Sequence, residues 1–186
     1  MNITIYLGAS QGNDPALKLA VAELARWVAN AGHTLVYGGS KTGLMGVLGA
    51  AALEAGGTVI GVEPKFFMDQ EQQLDTLTQL IVTETIAERK TKMIELGDAF
   101  IAFPGGTGTL EEIAEVMSKV SLKQIDAPCI LYNLNGYYDH LKALLNHMKE
   151  TGLSSDARQE GIFFANNLHE IETIIKRSRY GGLRQG

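Results

Sequence analysis

The residues best suited to chemistry in this chain are three glycine clusters and two charged ones. Gly8-Ala9-Ser10-Gln11-Gly12, Gly38-Gly39-Ser40-Lys41-Thr42-Gly43 and Pro104-Gly105-Gly106-Thr107-Gly108-Thr109 each follow a short apolar run and lead towards a helical pattern. A helix start presents unpaired backbone N–H groups and the positive end of the helix dipole, so it favours an anion. Glycine lets that backbone approach a phosphate with no Cβ in the way. Thr107 and Thr109 add hydroxyl donors. Glu111, Glu112 and Glu115 come next and are expected in the first turns of the following helix. Carboxylates there stabilise any helix, yet beside a bound phosphate they would repel it. Slightly further off they suit ribose hydroxyls or a carbon that becomes cationic. Glu112 and Glu115, three residues apart, share a helix face. The other charged cluster, Glu88-Arg89-Lys90-Thr91-Lys92, opens the preceding helix. It reads either as a solvated basic face or, through Arg89, as a guanidinium fork for a ribose, a phosphate or a base edge.

The loops also say which ligands they do not fit. The first turn, GASQGN, lacks the G-x-G-x-x-G fingerprint of dinucleotide sites, and no later loop supplies it. Lys41-Thr42 has no glycine directly before the lysine, so the phosphate loop of nucleotide triphosphatases is absent as well. A nucleoside monophosphate or another sugar phosphate stays open.

Strands alternating with amphipathic helices must position these loops. Apolar runs at 2–7, 33–37, 58–62, 79–83, 99–103, 129–133 and 162–164 read as strands. Helical spacing predicts helices over 14–31, 44–55, 86–96, 111–122, 137–149 and 168–176. The stretch 63–75, with Pro64, Phe66 and Phe67, is expected to be irregular. Strands that need not alternate, joined by helices, give an α/β fold: a Rossmann-like, doubly wound parallel sheet with helices on both faces. In such a sheet ligands sit beyond the carboxyl ends of the strands, where all three glycine loops fall. One domain over 1–178 and a flexible tail over 179–186 are expected. Small-residue helix 44–55, Met93 and Met117 suit either the core or an apolar interface.

Composition removes other classes. The 186 residues carry 16 Lys+Arg against 21 Asp+Glu, a net charge of -5, which is a poor footprint for DNA or RNA. Cys129 is the only cysteine, so no intramolecular disulfide or multi-cysteine metal cluster can form, and its apolar surroundings predict a buried strand residue. His33, His140, His147 and His169 show no ligand spacing, so neither a metal nor a cofactor is expected. No run approaches the ~20 apolar residues of a membrane span, and the N-terminus lacks a basic export signal. A cytoplasmic location without membrane partners is the expectation.

Read together, the motifs resemble a known family. PGGTGTLEE at 104–112 resembles the PGGxGTxxE signature of the Lonely Guy family, phosphoribohydrolases long mislabelled "lysine decarboxylase". AERKTKM at 87–93 is similar to its second signature, an Arg-Lys pair followed by methionine. YGGSKTGLMG at 37–46 is similar to its third, and GASQGN to its first-strand turn. Ser40 stands where many members have a third glycine, and Ala87 precedes Glu88-Arg89 where many have Met-His. The resemblance implies a homodimer that cleaves the N-glycosidic bond of nucleoside 5′-monophosphates, among them AMP and cytokinin riboside monophosphates. The products are free base and ribose 5-phosphate. It maps the catalytic pair onto Arg89 and Glu112. Glu112 would stabilise an oxocarbenium-like ribose and activate water, while Arg89 either orients the ribose or assists the departing base. Substrate contacts are expected from Ser10, Gly39, Ser40, Met45, Lys90, Gly105, Gly106, Thr107, Gly108, Thr109 and Glu115. Decarboxylation needs an electron sink such as pyridoxal phosphate on a lysine, and neither Lys90 nor Lys92 is marked as one. The rival reading is a non-catalytic nucleotide or cofactor carrier on the same fold, which would keep the glycine loops and need no catalytic carboxylate.

Overall fold

Seven apolar runs become seven parallel strands of one sheet in the computed structural model, which describes residues 1–68 and 73–180. In chain order they are β1 (Asn2–Tyr6), β2 (Thr34–Tyr37), β3 (Thr58–Pro64), β4 (Gln79–Thr83), β5 (Ala99–Ala102), β6 (Cys129–Tyr132) and β7 (Ile162–Ala165). The sheet order is β4-β3-β2-β1-β5-β6-β7. The chain therefore winds outward from β1 to one edge, returns to β5 beside β1, and winds outward to the other edge. The order reverses between β1 and β5, so the loops after these two strands diverge and leave a crevice at the sheet's carboxyl edge.

Helices α1 (Pro15–Asn30), α2 (Gly43–Glu54) and α8 (Leu168–Tyr180) cover one face; α4 (Ile86–Leu96), α5 (Thr107–Ser121) and α6 (Asp139–Glu150) cover the other. Two short helices, α3 (Lys65–Met68) and α7 (Asp156–Gln159), lie in connections. Each strand feeds both faces by alternation. Ile3 and Ile5 of β1 join Leu24, Leu48 and Ile171 in one core, while Tyr6 joins Met93, Ile113 and Val116 in the other. Central β5 is wholly buried, Phe100 and Ala102 facing one layer and Ala99 and Ile101 the opposite one. Such strands need no polar face, which is why their sequences run continuously apolar. Cys129 is buried within β6, and burial pushes its thiol pKa up. Met93 is 1% exposed, and Leu44, Leu48, Ala51 and Ala52 of α2 are buried in the core.

Four boundaries differ from the sequence reading. Helix α5 begins at Thr107, four residues before the expected start, because Gly106 is already its cap and Thr107-Gly108-Thr109 form its first turn. Glycine and threonine are weak helix formers, so the pattern of apolar residues gave no signal there. β3 runs on through Glu63 and Pro64 and is followed by α3, where irregular chain was expected. Proline is tolerated because it ends the strand. Helix α6 starts at Asp139, after a 3₁₀ turn over Leu134–Gly136 with Asn135 at φ 52. The Asn133 side chain holds this corner by accepting from Tyr138 N at 2.7 Å and donating to Asp139 at 2.8 Å. Helix α8 continues to Tyr180, past the expected domain end at 178; residues 181–186 of the expected tail lie outside the described residues.

Candidate active site

The first charged cluster separates into distinct tasks once it is on a helix. Thr85 caps α4, its hydroxyl accepting from Glu88 N at 3.1 Å, and the Glu88 carboxylate takes Glu84 N at 2.9 Å. This reciprocal cap explains Glu88 without any ligand. Arg89, one residue on, turns inward. Its Nε donates to the Val62 carbonyl at 2.9 Å and its Nη1 to Glu112 Oε1 at 3.0 Å. Both side chains of this ion pair are nearly buried, 14% and 11% exposed. Burial pushes the Glu112 carboxyl up, and the Arg89 guanidinium draws it part of the way back. A buried pair anchored to a strand carbonyl holds its geometry far better than a surface pair.

Gly38 is what makes this position of Arg89 available. A Cβ there would overlap the guanidinium and the Met45 methyl group. Gly43 has φ +54, and a Cβ on it would run into the Ala9 carbonyl, so the loops after β1 and β2 can lie this close only with glycine.

Around the ion pair is a cleft of about 400 Å³, within the range of small-ligand sites. It lies at the β1/β5 crevice. Leu7 to Ser10 come from the loop after β1, Gly38, Ser40 and Met45 from the loop after β2 and α2, and Gly106 to Thr109 from the start of α5. Glu63, Phe67, Arg89 and Glu112 complete the wall. A larger groove of about 600 Å³ lies between α6, α7 and β7. Of its charged lining, Lys149 is paired with Asp156 at 3.0 Å and Glu160 with Lys123 at 2.6 Å, and Lys142 lies over the Phe164 ring.

The first turn of α5 carries no acidic residue, and Gly106 caps it without a side-chain hydrogen bond. Glu111 and Glu112 therefore sit in the second turn and Glu115 in the third, not at the helix start. Stabilising the helix dipole, the ordinary reason for acidic residues near a start, does not apply to them. The first turn itself, Gly106 to Thr109, lines the cleft and carries no carboxylate. Tyr137 supports this loop from the far side by donating its hydroxyl to the Gly105 carbonyl. Gly105 packs against Gly8 and Thr109, and Thr109 is 3% exposed, its Oγ1 without a hydrogen-bond partner among the described residues.

Of the residues singled out in the sequence, Ser10, Ser40, Met45, Gly106, Thr107, Gly108, Thr109, Arg89 and Glu112 meet around the cleft. Gly39 and Gly105 lie behind it, against Glu63 and Gly8 respectively. Lys90 and Glu115 are not brought to it. Lys90 pairs with Glu111 at 2.7 Å and Glu115 at 3.3 Å, a tie between α4 and α5. Those carboxylates raise the Lys90 pKa, the opposite of what an amine must undergo to form a Schiff base. Among the described residues no group of His, Cys, Asp and Glu is arranged to hold a metal ion. Glu63 was missed. The available signal was a lone acid at the carboxyl end of an apolar parallel strand, hidden because the strand was closed at Val62.

Comparison with known proteins agrees with this geometry. The family described as "Possible lysine decarboxylase" matches residues 45–175. A cytokinin riboside 5′-monophosphate phosphoribohydrolase of Rhodococcoides fascians is 38% identical, over 94% of this chain and 89% of the relative. One of Mycobacterium tuberculosis is 36% identical, over 90% and 89%. Among solved structures, the molybdenum cofactor carrier protein of Chlamydomonas reinhardtii superposes with a TM-score of 0.71 at 21% identity, over 96% of this chain and 98% of that one, which shows a shared fold. Sequence identity of this extent, with the glycine loops and the Arg89–Glu112 pair converging on one cleft, makes this chain a member of the Lonely Guy family.

Proposed function

We propose that the cleft binds nucleoside 5′-monophosphates and hydrolyses their N-glycosidic bond to free base and ribose 5-phosphate. The observation that carries this is the Arg89–Glu112 ion pair in the same cleft as a helix first turn free of carboxylates. The start of α5 takes the 5′-phosphate through its backbone N–H groups. That remote binding energy positions the ribose over Glu112. As the C1′–N bond lengthens, the sugar becomes oxocarbenium-like, and the Glu112 carboxylate stabilises it and accepts a proton from the attacking water. Arg89 favours the charged form of Glu112 against the burial that opposes it. The named activity of the relatives supports the same reading and makes AMP and N6-modified adenosine monophosphates the first substrates to try.

Incubation with a panel of nucleoside monophosphates, nucleosides and triphosphates, followed by chromatography of the free base, tests it. Release from monophosphates alone is expected. A protein that binds AMP and releases no base would be the non-catalytic carrier instead.

Tyr137→Phe should loosen the phosphate loop and leave the reacting groups alone. One lost hydrogen bond of about 1 kcal/mol predicts a KM for AMP higher by roughly two- to tenfold with kcat little changed. Steady-state kinetics reads this directly.

A cytoplasmic homodimer is part of the same proposal. Among the described residues no helix is long and apolar enough to cross a membrane. Ile86 on α4 and Leu110 on α5 are 44% and 46% exposed, apolar surface that a second copy would cover. Light scattering after size exclusion measures the mass.

A further inference from the structure

Glu63 closes β3 with a side chain that is 2% exposed, and its Oε2 finds no hydrogen-bond partner among the described residues. It lines the cleft beside Phe67 and Met45, on the β2/β3 side, whereas the start of α5 lines the β1/β5 side. The loop after β2 passes over it at Gly39, whose φ of +82 and missing side chain leave room for Oε2. The charged and titratable groups acting on or near it are the Arg89 guanidinium from α4 and the Tyr37 hydroxyl from β2. A nucleotide with its phosphate at the α5 start would extend its base toward the Phe67–Met45 wall, which Glu63 also lines.

The chemistry leaves one role unfilled. A purine leaving C1′ takes the bonding electron pair with it and needs a proton. Among the described residues, the titratable side chains lining the cleft are Glu63, Arg89 and Glu112. A guanidinium does not give up a proton near neutral pH. Glu112 accepts a hydrogen bond from Arg89, which favours its ionised form. Among the described residues Glu63 has no hydrogen bond to stabilise its charge, and it has no competing task. Two carboxyls in contrasting environments, one paired with a cation and one not, divide acid from base.

We propose that Glu63 is the general acid of this reaction, delivering its proton to a ring nitrogen of the departing base. The proposal rests on the phosphoribohydrolase reading. The C1′–N bond breaks with its electron pair going to the base, and the Glu63 proton neutralises it. Water forms the new C1′–O bond and loses its proton to Glu112. Glu63 ends ionised and Glu112 protonated, and both reset by exchange with solvent. Burial of Glu63, which pushes its carboxyl up, keeps the acid form available to higher pH, with Arg89 opposing in part.

AMP and N7-methylated AMP separate this role from a structural one, because the methylated base is already cationic and departs neutral without a proton. Glu63→Gln is expected to lower kcat on AMP by about 10²- to 10⁴-fold and on the methylated nucleotide by less than about fivefold. The wild-type enzyme supplies a measure that needs no variant: its kcat on AMP should fall at high pH as Glu63 ionises, and this limb should be missing with the methylated substrate. Equal losses on both substrates, no loss on either, or the same alkaline limb with both would overturn the proposal. A wild-type protein that releases no base from either nucleotide ends the hydrolase reading and this role with it; undiminished release from AMP by Glu63→Gln ends this role alone. Folding of the variant is checked by melting. The folded-state pKa of Glu63 is raised, so the wild type loses stability as pH climbs through it while the glutamine form does not. The variant's midpoint should therefore overtake the wild type's progressively above the ordinary glutamate pKa.

Discussion

Glu112→Ala should abolish adenine release from AMP, by roughly 10³-fold or more, while AMP affinity stays within about tenfold of wild type. The two effects part because they belong to different turns of α5, the first and the second. In the proposed reading phosphate is held by backbone N–H groups at the start of α5, in a turn that contains no acidic residue. Glu112 lies one turn further along, 11% exposed, where an oxocarbenium-like carbon would meet it. In the ground state that carbon is uncharged, so the carboxylate contributes little to binding. Charge appears only as the bond breaks, and stabilisation realised only then enters kcat. Calorimetric titration with AMP gives the affinity and chromatography the release. Unchanged release would remove Glu112 from the mechanism. A large loss of affinity would mean that the nucleotide sits elsewhere.

Much of this was legible in the sequence, for reasons that differ by element. Strands buried on both faces announce themselves as continuous apolar runs, so the seven-strand parallel sheet follows from runs such as AFIAF and CILYN. The glycine loops were legible because backbone approach demands glycine at set places, as Gly38 and Gly43 show. The start of α5 was not, because Thr107-Gly108-Thr109 has no apolar periodicity and weak helix propensity. That error moved the carboxylates to the wrong turn. Lys90 illustrates a second limit. Adjacent residues on a helix point about 100° apart, so Arg89 can enter the cleft while Lys90 reaches Glu111 and Glu115 on α5. The charge run itself carries no record of which member turns inward. Glu63 reflects a third: its significance lies in having no partner, and that depends on chain far from it in sequence, including α4 and the loop after β2.

Arg89→Ala should lower kcat by roughly 10³-fold near neutral pH, and the residual activity should rise as pH is increased. The sign follows from the opposing influences on Glu112. Burial pushes its carboxyl up, and the guanidinium, by charge and by the 3.0 Å hydrogen bond, pulls it down. Without Arg89 only the upward influence of burial is left at full strength. The carboxyl then holds its proton to higher pH than in the wild type, and in that form it can neither stabilise a cationic carbon nor accept a proton from water. Raising the pH restores the carboxylate, and activity with it. Stability should move the other way. An uncompensated buried carboxylate costs about 3–5 kcal/mol, and protonation relieves it, so the variant's deficit in urea unfolding should shrink as pH falls. Arg89→Ala combined with Glu112→Ala removes the orphaned charge and should be more stable than Arg89→Ala alone at pH about 8. A pH–rate profile of the single variant parallel to that of the wild type would show that Arg89 does not set the charge of Glu112. Its effect would then have to come from contact with the nucleotide, and the double variant would gain nothing over the single one.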